Sequence, residues 1–170
     1  MKSQKINTLI VGGAGVTDAH EIPQLIPHLL TLLLESGRRV TVLSRTSTPT
    51  YVLPTGVDYV VEGQTQNEVI NRILDTHQEV IHFAYTTVPY PALENPLAEL
   101  MLNLPATMPI FAAASRTGAK LVLVSSGSAL YGEAHTLPIS ETHLTKPTIM
   151  YGVNKLTLEN YAISMPQHKG

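Results

Sequence analysis

Tyr151 and Lys155 stand four residues apart in "MYGVNKLTLENYAISM", a stretch whose pattern predicts a helix. At that spacing two side chains share one helical face. A free phenol, with a pKa of ~10, is a poor base at neutral pH. A neighbouring ammonium favours the phenolate, and such a tyrosine can trade a proton with a substrate hydroxyl or carbonyl. A serine hydroxyl nearby could orient the same oxygen. "SSGS" (125–128) supplies candidates after a strand-like run, with Ser126 preferred to Ser128 because it lies nearer the strand end. An isolated pair of this kind is also what a solvated helical face carries, with Lys155 paired to Glu159 one turn on.

The order of features upstream favours the chemical reading. "INTLIV" (6–11) is a short apolar run that stops at Gly12, Gly13, Ala14, Gly15 and Val16. Glycines directly after a strand let the backbone turn sharply and approach a pyrophosphate, whose charge rests against the next helix amino terminus. The second strand ends in Ser44 and Arg45, beside the place of an adenosine ribose. An acidic residue there would bond the ribose hydroxyls of NAD, whereas Ser-Arg suits the 2'-phosphate of NADP. The positive charge of an oxidised nicotinamide would add to that of Lys155 in favouring the Tyr151 phenolate.

These residues need elements to position them. Strand-like runs at 6–11, 39–44, 57–63, 79–85 and 119–126 alternate with helix-like stretches. "LLTLLLESG" predicts a helix closed by Gly37, and "NEVINRILDTH" places Val69, Ile70, Ile73 and Leu74 on one face. A Pro-rich loop leads to a helix around 97–104. Pro105 would interrupt it, or Pro109 would separate it from a second segment running to Ser115. Such alternation predicts a doubly wound parallel α/β sheet with helices on both faces. Right-handed crossovers would gather the strand carboxyl ends along one edge, where ligands bind. With no repeat or linker, residues 1–170 read as a single domain.

Composition narrows the function classes. A net charge of -2 without a basic patch argues against nucleic acid as the main partner. The absence of cysteine excludes disulfides and thiolate metal sites, and the seven histidines form no close ligand pair, so no metal site is expected. The most apolar run, 25–35, is well short of the ~20 residues of a membrane span, and "MKSQKINTLIV" reads as a first strand. A soluble cytoplasmic protein with a small-molecule substrate is the resulting expectation.

Taken in order, "GGAG" (12–15), "VTVLSR" (40–45), "VIHFAY" (80–85), "NLPAT" (103–107), "LVLVSSGSALYGE" (121–133) and "YGVNK" (151–155) resemble the extended short-chain dehydrogenase/reductase superfamily. Within it the likeness is to the NAD(P)-dependent epimerase/dehydratase family, and it covers essentially the whole chain. The resemblance implies a Rossmann-type fold, bound NADP or NAD, and an enzyme acting on a nucleotide sugar or another small hydroxyl or carbonyl compound. Ser126, Tyr151 and Lys155 would be its catalytic residues. Tyr151 would be the acid/base, and Lys155 would lower its pKa and hold the nicotinamide ribose. Gly12, Gly13, Ala14, Gly15, Val16, Ser44, Arg45, Gln64, Phe83, Ala84, Tyr85 and Asn103 would line the cofactor along with Tyr151 and Lys155. Related proteins pair through two helices, here the regions 97–115 and 150–165, which implies a homodimer.

The chain also departs from the family pattern. Asp18 stands in place of a third glycine, and residues 17–25 read as an insertion before a helix that begins late, near Pro27. Gln64 replaces an acidic residue expected near the adenine, and an amide still bonds that ring. The chain stops soon after the Tyr–Lys helix, so the fifth strand is expected as an exposed sheet edge and most of a substrate-binding region as missing. The alternative reading is a truncated or degenerate nucleotide-binding module without catalysis.

Overall fold

The computed structural model describes residues 5–14, 22–61, 67–86 and 95–166, with side chains from 25 onward in the second segment. Five strands, β1 (Asn7–Val11), β2 (Arg39–Ser44), β3 (Val57–Val61), β4 (Glu79–His82) and β5 (Lys120–Leu123), form one parallel sheet in the order β3-β2-β1-β4-β5. Leu9, Ile10 and Val11 are fully buried in the central strand β1. Burying both faces of a strand requires cover on both sides, which is why these strands read as unbroken apolar runs. Leu9 and Val11 pack with Ile70, Leu74, Val80 and Ile110 beneath α2 (Asn67–Leu74) and α3 (Pro96–Thr117). Ile10 packs with Ile26, Leu30, Val40 and Val42 beneath α1 (Ile22–Glu35) on the opposite face. A one-turn helix, α4 (Gly127–Leu130), and α5 (Met150–Ser164) complete the layer on the α2–α3 side, with α5 against α3 and α4. The strand order reverses between β1 and β4, and this switch point opens a crevice at the strand carboxyl ends.

Several boundaries differ from those expected. Helix α1 begins at Ile22, so Pro27 lies inside it and residues 22–25 belong to its first turns. The Thr31 hydroxyl donates to the Pro27 carbonyl one turn earlier, and the helix closes as expected, with Gly37 and Arg38 amides bonding the Leu34 and Leu33 carbonyls.

Neither Pro105 nor Pro109 breaks α3, which runs unbroken for 22 residues. A helical proline frees the carbonyl four residues earlier, here those of Met101 and Pro105. Both of those residues are exposed, so water can satisfy what the prolines leave. Asn95 caps the start of α3 by accepting from the Ala98 amide, and Gly118 closes its end.

Strand β4 stops at His82 rather than 85 because the Phe83 and Ala84 amides converge on a single acceptor, the Val11 carbonyl, at 2.8 and 2.9 Å. Strand β5 pairs only with β4 and therefore ends with it, at Leu123. Strand β5 stands last in the sheet order, and Val122 on it is 42% exposed.

Among the described residues α3 is the one helix long and apolar enough to cross a membrane. It turns Glu99, Asn103 and Thr107 inward along with Ile110, Phe111, Ala113 and Ala114 and packs against α2, α5 and β5, so it serves as a core helix. In its first turns the polarity is inverted: Leu97, Met101 and Leu102 face outward at 69, 56 and 47% exposure while Glu99 and Asn103 are buried.

Candidate active site at the strand carboxyl ends

At the end of β1 the Gly12 amide bonds the Leu43 carbonyl at 2.9 Å. Gly12 has φ +82°, and a Cβ on it would lie 2.6 Å from the Ala84 Cα. Only glycine accommodates both that backbone conformation and that approach of the β1 turn to the end of β4. Gly13 and Ala14 continue the turn, with the Ala14 carbonyl accepting from the Thr50 amide at 3.1 Å. Gly15, Val16, Asp18 and Gln64 lie outside the described residues.

Beside this turn the Ser44 hydroxyl is buried and accepts from the Thr46 amide at 3.1 Å, so it serves its own turn. The Arg45 guanidinium is exposed and reaches from the end of β2 to the Thr86 hydroxyl beyond β4, at 3.2 Å. The Thr86 amide in turn donates to Asn103 Oδ1 at 2.8 Å, while Asn103 Nδ2 donates to the Glu99 carbonyl. Asn103, expected against the cofactor, thus ties the loop after β4 to α3.

Tyr151 and Lys155 are carried by α5. Gly152 sits between them on the inner side, where a Cβ would strike the Ala129 carbonyl of α4. The close approach this permits brings the two elements together: Ser126 caps α4 without spending its hydroxyl on the cap, and that hydroxyl pulls the Tyr151 pKa down. Ser128 is exposed.

Lys155 is 4% exposed, which removes the solvated-face reading. Its ammonium donates to the Val124 carbonyl at 3.1 Å and lies 4.1 Å from the centre of the Tyr85 ring, against 5.8 Å for the Tyr151 ring. The Tyr85 and Tyr151 rings meet edge-to-face at 5.0 Å.

Burial, aided by the Glu99 carboxylate, raises the Tyr151 pKa above that of a free tyrosine, outweighing Ser126. The Lys155 ammonium lies nearer the Tyr85 ring than the Tyr151 ring. Burial lowers Lys155 itself to about 8, opposed by the charges of Glu99 and Glu159. Tyr85 donates to Glu99 Oε1 at 2.6 Å, and burial together with this bond raises its pKa far above the usual tyrosine range.

His82, Tyr85 and Glu99 complete the cluster, and two of these went unrecognised in the sequence. Glu99 sits in the apolar run "PLAELML", where a lone glutamate reads as surface; the available signal was the stripe Glu99, Asn103, Thr107, spaced by four on an otherwise apolar helix. His82, at the last position of β4, is 1% exposed and stacks edge-on against Phe111 at 5.9 Å. Burial and the nearby Lys155 charge pull its pKa down to about 3, from an ordinary 6.5.

The folded state therefore refuses a proton that the unfolded chain accepts below pH ~6.5. Its contribution is fully present above that pH and is lost as pH falls toward about 3. Between pH ~6.5 and ~5 this single site should cost about 2 kcal/mol, at ~1.4 kcal/mol per pH unit. Urea denaturation at the two pH values should show a loss larger by about that amount in the native chain than in His82→Leu, which keeps the smaller contribution of the partly buried His77.

Among the described residues no group of three or more His, Asp or Glu could hold a metal ion.

The switch-point crevice, the glycine turn and the sheet order define a Rossmann-type α/β protein. The sequence model of the NAD dependent epimerase/dehydratase family matches residues 24–170, and the chain belongs to that family. The UDP-glucose 4-epimerase of Corynebacterium glutamicum is 29% identical over 158 residues, covering 92% of this chain and 45% of the relative. Among solved structures, UDP-glucose 4-epimerase from Brucella ovis in complex with NAD superposes with a TM-score of 0.77 at 26% identity, over 94% of this chain and 49% of that one. The Thermus thermophilus UDP-glucose 4-epimerase complex with NAD gives 0.77 at 27% identity, over 92% and 49%. The chain spans about half the length of the relatives it matches.

Proposed function

We propose that this chain is the NAD(P)-binding and acid–base portion of an epimerase/dehydratase or related oxidoreductase acting on a nucleotide sugar. The observation that carries the reading is the convergence at one sheet edge of a glycine turn that admits no Cβ with Ser126, Tyr151 and a buried Lys155. Gly12, Gly13 and Ala14, with Gly15 and Val16 beyond them in sequence, would hold the pyrophosphate. Phe83, Ala84 and Tyr85 would flank the nicotinamide half, and Gln64 the adenine. When bound, the nicotinamide supplies a reversible hydride acceptor.

The residues of the chain do the rest. Ser126 orients a substrate oxygen. Tyr151 takes the hydroxyl proton as hydride leaves the same carbon, or returns it to a carbonyl in the reverse direction. Because burial keeps Tyr151 protonated, the bare site is poised as an acid, and taking a proton calls on added positive charge beside the phenol. The inverted face of α3, with Leu97, Met101 and Leu102 outward, and Val153, Tyr161 and Ile163 on α5 support pairing of two copies through the regions 97–115 and 150–165. The proposed setting is the cytoplasm, with no nucleic-acid or membrane partner and one domain over residues 1–170.

Arg45 supports NADP over NAD, whereas the two relatives described above were solved with NAD. Titration of the 170-residue chain with NADH and with NADPH, followed by nicotinamide fluorescence, compares them directly. Micromolar binding is expected, tighter for NADPH, with Arg45→Ala weakening NADPH by about tenfold or more through a lost charged hydrogen bond. A second reading, a nucleotide-binding module without catalysis, is favoured by the Lys155 ammonium lying nearer the Tyr85 ring than the Tyr151 ring. Cofactor binding without turnover would select it, and binding of neither dinucleotide would sink the first.

A further inference from the structure

Glu99 is fully buried, carries a carboxylate, and lies on α3, which contributes no residue to the acid–base pair itself. A buried carboxylate is costly unless charge and hydrogen bonds compensate it. Here the Tyr85 hydroxyl donates to Oε1 at 2.6 Å, a length typical of a hydrogen bond to a charged oxygen. The other face of that arrangement is the Lys155 ammonium, 4.1 Å over the Tyr85 ring. A cation over an aromatic face is held by the ring's quadrupole, and more strongly where water is excluded. Tyr85 thus meets both charges: its hydroxyl the anion and its ring the cation. The Val124 carbonyl fixes a further side of the ammonium at 3.1 Å.

We propose that Glu99 and Tyr85 form a buried seat for the Lys155 ammonium, making both of them positioning residues for the Tyr151–Lys155 pair. The seat explains three facts together. The carboxylate is tolerated in the core because a cation stands across one ring from it. The ammonium is tolerated at 4% exposure for the reciprocal reason. Tyr85 cannot serve as a second acid/base, because its hydroxyl points into the core at Glu99.

The groups that face Lys155 are His82 from β4, Tyr85 from the loop after it, Glu99 from α3, and Tyr151 and Glu159 on its own helix. Of these, Glu99 acts most strongly in favour of the charged form, with Glu159 second. The same carboxylate disfavours the Tyr151 phenolate. Glu99 therefore favours the charged form of Lys155 and disfavours the phenolate of Tyr151. The proposal rests on the proposed function only in taking Tyr151 and Lys155 as the acid–base pair.

The test needs neither cofactor nor substrate, so its failure is separable from failure of the enzymatic reading. The chain has six lysines and seven tyrosines, few enough to follow singly by NMR in selectively isotope-labelled protein. Lys155→Arg and Tyr151→Phe assign the two signals of interest. In Glu99→Gln, which keeps an acceptor for Tyr85, the acid dissociation constant of Lys155 is expected to rise about tenfold. That of Tyr151 is expected to rise in the same direction, and a purely structural glutamate would not move both. Glu159→Gln should shift Lys155 less. Tyr85→Leu, which leaves Glu99 in place, should raise the Lys155 constant severalfold through loss of the ring face, and it stands as the test if Glu99→Gln does not fold. An unchanged Lys155 titration in folded Glu99→Gln, or an equal or larger shift in Glu159→Gln, overturns the proposal. So does an unchanged titration in folded Tyr85→Leu.

Discussion

On the proposed function, Tyr151→Phe is expected to lower hydride transfer by about 10²–10⁴-fold, the usual contribution of a positioned acid or base. The substitution removes one oxygen and nothing else. The ring that meets Tyr85 edge-to-face at 5.0 Å stays, as does the Gly152 contact that seats α5 on α4. Dinucleotide affinity should therefore remain within about threefold, since the lost group acts on the substrate oxygen. If the proposed function holds, single-turnover appearance of reduced nicotinamide on mixing with a nucleotide sugar is the direct measurement. It separates the acid–base role from cofactor binding. Full activity in the variant would remove Tyr151 from the mechanism. Equal loss of binding and rate would instead assign it to holding the cofactor.

Gly12→Ala should produce the largest structural effect, a destabilisation of about 3–5 kcal/mol. Two penalties act at once. A left-handed φ of +82° costs an alanine ~1–2 kcal/mol, and a Cβ 2.6 Å from the Ala84 Cα forces β1 and β4 apart where the sheet is tightest. The clash is with backbone, which no rotamer change can relieve. Thermal unfolding should show a fall of roughly 10 °C, at ~2–4 °C per kcal/mol for a chain of this size. Gly37→Ala is the natural comparison: its φ is +85°, but nothing lies within 4 Å of an added Cβ, so only the conformational penalty applies. Equal losses at both sites would mean that the approach to Ala84 carries no weight.

The sequence was legible where a local rule had no tertiary competitor. Val69, Ile70, Ile73 and Leu74 share the inner side of α2, where Ile70 and Leu74 are buried, because helical period alone decides which side chains align. The Gly12 turn was readable from its place after an apolar strand, since a strand that ends buried must turn sharply. The prolines of α3 misled for the same local reason. In isolation Pro105 and Pro109 should break a helix, yet both lie where the freed carbonyls reach water, and packing against α2, α5 and β5 holds the element together. Pro27 inside α1 and the early end of β4 have similar causes: burial on α1, and two amides drawn to one Val11 carbonyl.

By itself the sequence determined the alternation of strands and helices, the glycine turn and the Tyr151–Lys155 spacing, because each depends on period or backbone freedom within a few residues. Only the tertiary structure decided how those groups are charged. Glu99, 52 positions before Tyr151 in the chain, is buried beside Tyr85 through the packing of α3 on α5. Burial raises the Tyr151 pKa and the Glu99 carboxylate adds to it, while the same carboxylate favours the charged form of Lys155. Charges interact through space in a medium that excludes water, and neither the distance nor the medium exists until the chain has folded.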